Sequence, residues 1–152
     1  MPPNAGNGYM LAALAEAEAA AAREEVPIGA VIVAAGQIVA RAGNRTRELA
    51  DPTAHAEMLA IRAACAALGS ERLAGADLYA TLEPCPMCAQ AISFARIRRL
   101  YYGALDPKGG GVEHGARVFN QSSCHHAPEL YGGLAETQSA RLLRAFFAAR
   151  RR

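Results

Sequence analysis

The chain has 152 residues, a mass of 15.9 kDa, 52% apolar and 20% charged residues, and a formal charge of +2. That size predicts one domain over residues 1–152, large enough to bury a core, and a charge too small to announce a nucleic-acid partner by itself. The Ala-rich start carries Glu16, Glu18, Glu24 and Glu25 without a basic segment, and no apolar run is long enough to span a membrane. A soluble, cytoplasmic protein is the expectation.

Met10, Leu14, Ala17 and Ala21 recur at helical spacing, which predicts a first helix over about 9–25, stopped by Pro27. Apolar, β-branched runs at 28–34 and 37–42, joined at Ala35-Gly36, predict an antiparallel hairpin. Gly43-Asn44 breaks the second strand, and 45–50 reads as a loop. Asp51 as a cap and Pro52 at the first helical position predict a second helix with an apolar stripe of Met58, Ile61, Cys65 and Leu68, ending at Gly69.

A strand at 76–82 runs into Pro84-Cys85-Pro86, which opens a helix to about Ala95, followed by a strand at 98–103. This alternation predicts an α/β layer structure whose later strands are parallel. Residues 106–113 are Gly-rich loop, a short strand is expected near Leu130-Tyr131, and 134–150 reads as a final helix with Leu142, Leu143, Phe146 and Phe147 inward.

The basic residues cluster. Arg96, Arg98 and Arg99 form one group, Arg141, Arg144, Arg150, Arg151 and Arg152 another, and Lys108 is the only lysine. Arginine suits phosphate geometry, although a solvated helix end explains the terminal group equally well.

Four cysteines without a secretory signal point to metal or catalytic chemistry before disulfides. Cys85 and Cys88, three apart at a helix start, can present both sulfurs on one side, and helix N-termini favour thiolates. With His55 they make a soft donor set that suits Zn²⁺. Glu57, two residues beyond His55, would leave a helix on nearly the opposite side, so it reads as a proton carrier above the metal and not as a ligand. Three ligands with an open fourth position mark catalytic zinc. H-x-E followed by P-C-x-x-C is the recognised signature of zinc deaminases. A closed structural site would need a fourth ligand from Cys65, Cys124, His114, His125 or His126, and Cys65 reads better as a buried thiol.

On this reading zinc lowers the pKa of water from about 15.7 to about 7, the resulting hydroxide attacks the carbon bearing an amine, and Glu57 moves the protons until ammonia leaves. Asn44 is a second candidate, because a side-chain amide both donates and accepts; a plain turn residue beside Gly43 is the alternative.

From Glu25 to Arg151 the chain resembles the bacterial tRNA-specific adenosine deaminases of the cytidine deaminase-like superfamily. The resemblance rests on Glu25-Val26-Pro27-Ile28-Gly29-Ala30-Val31, Gly43-Asn44-Arg45, Asp51-Pro52-Thr53-Ala54-His55-Ala56-Glu57, Thr81-Leu82-Glu83-Pro84-Cys85 with Met87-Cys88, and Gly103-Ala104 with Asp106 and Lys108. It implies a three-layer α/β/α fold with a mixed five-stranded sheet flanked by helices, a homodimer, and one Zn²⁺ per subunit. It also implies conversion of the wobble adenosine of a tRNA anticodon loop to inosine, with zinc-bound hydroxide as nucleophile and Glu57 as proton shuttle. Asn44 and the backbone around Ala56 would hold the flipped adenine. Asp106 and Lys108 would meet anticodon nucleotides, and Phe147, Arg150 and Arg151 would contact RNA.

Two other readings stay open: a deaminase of a free base or nucleoside such as guanine or cytosine, and a zinc-stabilised binding module. The Arg-rich C-terminus and Lys108 favour RNA over a small closed pocket.

Overall fold

The computed structural model describes residues 5–150. Helix α1 (Ala5–Ala22) leads into the hairpin β1 (Gly29–Ala34) and β2 (Gln37–Gly43). Then follow α2 (Ala56–Leu68), β3 (Asp77–Leu82), α3 (Pro86–Phe94), β4 (Arg99–Ala104), a 3₁₀ turn at Val118–Asn120, β5 (Glu129–Tyr131) and α4 (Glu136–Arg150). The strands form one mixed sheet in the order β2-β1-β3-β4-β5. β1 is antiparallel to β2 and β3, whereas β3, β4 and β5 run parallel.

Period-two alternation divides the sheet between two cores. Ala30, Ile32, Leu78, Ala80, Leu100 and Tyr102 face α2 and α3, meeting Ala60, Ala64, Ala89 and Ile92. Val31, Val33, Tyr79 and Tyr101 face the other way, onto Met10 and Ala13 of α1. Tyr79 and Tyr101, opposite each other in the register, stack with ring centroids 4.3 Å apart.

Several elements differ from the sequence expectation. α1 ends at Ala22, not near Glu25, because Glu24 takes a left-handed conformation (φ 67°) and turns the buried Glu25 beneath the loop that follows β2. In α2 the buried positions are Ala56, Glu57, Ala60, Ile61 and Ala64, while Leu68 is 48% exposed and Cys65 only half-buried. The alanines allow the helix to sit close on the sheet, which moves the larger side chains to the margin. In α4 the buried residues are Ser139 and Phe146, and Phe147 is 43% exposed.

The hairpin turn has positive φ at both Ala35 (51°) and Gly36 (74°), the two-residue geometry that matches strand twist. An alanine there carries a left-handed penalty of about 1 kcal/mol. Ala35→Asn is therefore expected to raise stability by about 1 kcal/mol, read as an increase in the calorimetric melting temperature.

Candidate active site

The two chemical motifs stand at the tips of α2 and α3. The first tip is not built as the sequence suggested. Asp51 does not cap α2; its Oδ1 accepts bonds from the Thr53 amide (2.8 Å) and hydroxyl (2.7 Å), which closes a local turn. Residues 51–54 stay outside the helix, and His55 is the N-cap with extended backbone (φ −74°, ψ 153°). The near-opposite placement of His55 and Glu57 on a helix therefore does not apply: His55 projects before the helix begins, and Glu57 from its first turn. The Ala56 amide donates to Asn44 Oδ1 at 2.8 Å. That bond fixes the buried Asn44 carboxamide and orients its NH₂ as a donor.

The second tip follows the end of β3. Cys85 is the N-cap of α3 (φ −71°, ψ 170°), Pro86 fills the first turn, and Cys88 lies inside the helix. The site thus sits beyond the carboxyl end of a parallel strand, where open α/β sheets place their ligands.

The His55 Nδ1 atom is 3.6 Å from Cys85 Sγ and 3.6 Å from Cys88 Sγ. All three donor atoms lie within 4.8 Å of one another, and among the described residues no other His, Cys, Asp or Glu joins them. A tetrahedral zinc with Zn–S near 2.3 Å and Zn–N near 2.0 Å holds N and S about 3.5–3.6 Å apart, so the donor set fits one Zn²⁺ with a position to spare. Cys65, Cys124, His114, His125 and His126 all stay outside this set.

Glu57 is buried, and burial pushes its carboxyl up to about 7, with the nearby Cys85 sulfur adding to the effect. Hydrogen bonding from Cys88 holds the Cys85 thiol down, at about 4, while Cys88 itself is driven up by the same bond. In the metal-free protein Cys85 is consequently more reactive than the buried Cys88 and than Cys65, whose thiol burial raises. Chelation at pH 7 should expose Cys85 to iodoacetamide several-fold faster than Cys65, with added zinc restoring protection; peptide mapping reads both sites.

Two buried carboxylates that the sequence reading left without a role shape the walls of the site. Glu25 accepts the amides of Arg47 (3.1 Å) and Glu48 (2.8 Å), which fixes the loop between Asn44 and His55. Glu83, two residues before Cys85, accepts five donors from the loop after β4. For Glu83 the available signal was a lone carboxylate in an otherwise apolar stretch, which burial obliges to find partners; Glu25, next to Arg23 and Glu24, carried no such signal.

Of the remaining sequence candidates, Asp106, Lys108 and Phe147 line one groove of about 480 Å³, together with Val26, Ile28 and Leu105. Asp106 Oδ1 accepts the amides of Lys108 and Gly109, so this carboxylate shapes its own turn. Arg150 pairs with Glu24 and lies over the Phe146 ring. Arg151 and Arg152 lie outside the described residues. Arg98 and Arg99 stand where β4 begins, at the end of the sheet remote from the donor set, and both pair with Asp77. His126 Nε2 bonds the Ile97 carbonyl oxygen at 2.7 Å, and Cys124 contacts Ser93; both secure the loop that precedes β5.

The model of the cytidine and deoxycytidylate deaminase zinc-binding region matches residues 4–104. The chain belongs to that deaminase family. A tRNA-specific adenosine deaminase of Agrobacterium fabrum is 67% identical to this deaminase over 143 residues, covering 94% of each chain. A structure from work on A-to-I editing by tRNA:A34 deaminases at the wobble position superposes with a TM-score of 0.88 and 68% identity, covering 90% of this deaminase and 99% of that chain. A guanine deaminase from Bacillus subtilis superposes with a TM-score of 0.65 and 33% identity, over 94% of this chain and 92% of that one. The three-layer arrangement with its mixed five-stranded sheet is thus the deaminase fold, and the family's zinc region contains the donor set described above.

Proposed function

We propose that residues 1–152 act as one zinc-dependent deaminase that hydrolyses adenosine to inosine at the wobble position of tRNA. The observation that carries the chemistry is the convergence of His55, Cys85 and Cys88 beside a buried Glu57. The high identity to a tRNA-specific adenosine deaminase supports the substrate, as does an open groove containing Lys108 and Phe147 next to the site.

His55, Cys85 and Cys88 hold the zinc. Zinc in that position supplies Lewis acidity and brings the pKa of water down toward neutrality. Glu57, whose carboxyl burial raises, takes a proton from water and delivers it to the purine nitrogen beside C6, then carries the proton of the new C6 hydroxyl to the departing amine as the C6 carbonyl forms. The balance is adenosine plus water giving inosine plus ammonia: a C–O bond forms at C6 and the C6–N bond breaks. The Asn44 NH₂ donates to the purine edge, while its oxygen and the Ala56 amide hold each other in place. Lys108 and Phe147 receive the flanking nucleotides, one by charge and the other by stacking. Asp106 accepts from a ribose hydroxyl with the oxygen its turn does not use. Arg150 contacts RNA after exchanging Glu24 for a phosphate.

The deaminase works in the cytoplasm as a homodimer. No helix of the described residues is long and apolar enough to cross a membrane. Phe94, 70% exposed beside Ile61 and Ala91, supports self-association through α2 and α3. Phe94→Glu should convert the dimer to monomer in sedimentation velocity; an unchanged dimer removes this face from consideration.

The test of function is direct. Purified protein is incubated with a tRNA bearing adenosine at the wobble position, and separately with free guanine, cytosine and adenosine. Inosine formed in the tRNA alone supports the reading. Ammonia from guanine with an unaltered tRNA transfers the chain to the free-base deaminases.

A further inference from the structure

The loop after β4 is folded around a single carboxylate. Glu83 Oε1 accepts the Asp106 amide (3.0 Å) and bonds His114 Nδ1 (2.9 Å). Its Oε2 accepts three consecutive amides, those of Val112 (3.1 Å), Glu113 (2.9 Å) and His114 (3.0 Å). The Glu83 side chain has no exposed surface. Successive amides converging on one oxygen form an anion-binding concavity of the kind that elsewhere receives phosphate, and here a residue of the chain itself fills it. The fit is close: a Cβ on Gly110 would come within 2.4 Å of Oε2.

The position of this carboxylate gives it a second consequence. Glu83 is separated from the donor Cys85 only by Pro84, whose carbonyl accepts the Gly111 amide at 2.8 Å. The loop it gathers carries Asp106 and Lys108 along one wall of the groove shared with Phe147. One short segment, 83–88, thus holds two of the three metal donors at one end and the groove loop at the other.

We infer that Glu83 is a positioning residue that sets the nucleic-acid-contacting loop in register with the metal site, so that a nucleotide held at Lys108 presents its neighbour to Glu57. The inference rests on the tRNA deaminase reading. A merely structural carboxylate would, when lost, lower stability, zinc content and kcat together. A positioning carboxylate acts through Lys108 and chiefly alters the binding of the polynucleotide.

The experiment uses the full zinc-loaded chain and a tRNA with a wobble adenosine. Glu83→Gln keeps the shape but turns an amide NH₂ toward main-chain amides, which can only donate. It is expected to raise KM for tRNA at least about tenfold, with kcat within about threefold and one zinc per chain retained. Lys108→Ala should raise KM about fivefold in the native background and less than about twofold in the Glu83→Gln background, because the lysine is already displaced there. Additive effects, an unchanged KM, or parallel loss of zinc and kcat would overturn the inference. Should Glu83→Gln fail to fold, His114 serves instead: His114→Ala raises KM, and His114→Asn, which keeps a donor, restores it. Equal KM values for these two variants also refute the role. A native chain that makes no inosine in tRNA would instead defeat the underlying functional reading.

Discussion

Glu57→Gln is expected to lower the single-turnover rate of inosine formation by at least about a thousandfold while one zinc per chain remains bound. General acid–base groups contribute about 10²–10⁴ in rate, and here one residue serves in both directions. Glutamine matches the shape of glutamate but cannot accept and return a proton. Its loss leaves His55, Cys85 and Cys88 untouched, since the Glu57 carboxylate is not among the clustered donors. Burial raises the carboxyl above the usual carboxylate range, toward the range in which a group both takes and returns a proton near neutral pH. Metal analysis and a quenched single-turnover assay on the same preparation decide the matter. A variant with full zinc and more than about a tenth of the native rate would remove Glu57 from the mechanism.

The second large effect is structural and lies beneath α1. Gly29 and Gly43 face each other across the hairpin, and α1 rests on that pair. A Cβ on Gly29 would come within 2.0 Å of the Ala13 carbonyl oxygen and 2.7 Å of the Ala17 amide nitrogen. Both are backbone atoms of a helix that cannot yield separately, so α1 must lift from the sheet. Gly29→Ala is expected to cost about 3 kcal/mol, which lowers the melting temperature of a domain of this size by about 10 °C. Gly8→Ala is the control: nothing lies within 4 Å of a Cβ there, and helix propensity favours alanine. If Gly29→Ala melts with the native protein, the close approach of helix to sheet is wrong.

The pattern of strands and helices was legible because period-two and helical spacing are local properties, punctuated by Pro27, Gly69 and Pro84. Helix starts were less legible. Asp51-Pro52-Thr53 satisfies every local rule for a helix N-terminus, yet Asp51 spends its carboxylate on Thr53 and the helix waits for Ala56. What decides between the two is Asn44, twelve residues earlier, which supplies the acceptor for the Ala56 amide. The buried face of α2 escaped for a related reason. Ile61 of the expected stripe is buried, but most of that face is Ala56, Ala60 and Ala64, and alanine carries too little hydrophobic signal to outweigh Met58 and Leu68 until the closeness of the sheet is known.

His55, Glu57, Cys85 and Cys88 were identifiable from sequence because metal chemistry restricts residue type and spacing so tightly that few alternatives fit. The sequence by itself therefore pointed to the donor set that the fold brings together, to Glu57 beside it, and to the order of the elements that bear them. Tertiary structure alone decided that the tips of α2 and α3 meet, that Glu57 is buried deeply enough to reach about 7, and that Glu25 and Glu83 are anchors and not surface charges. The physical reason is that ligand identity is written in single side chains. Convergence, desolvation and the partners of a buried carboxylate belong to pairs of segments that only the folded sheet brings together.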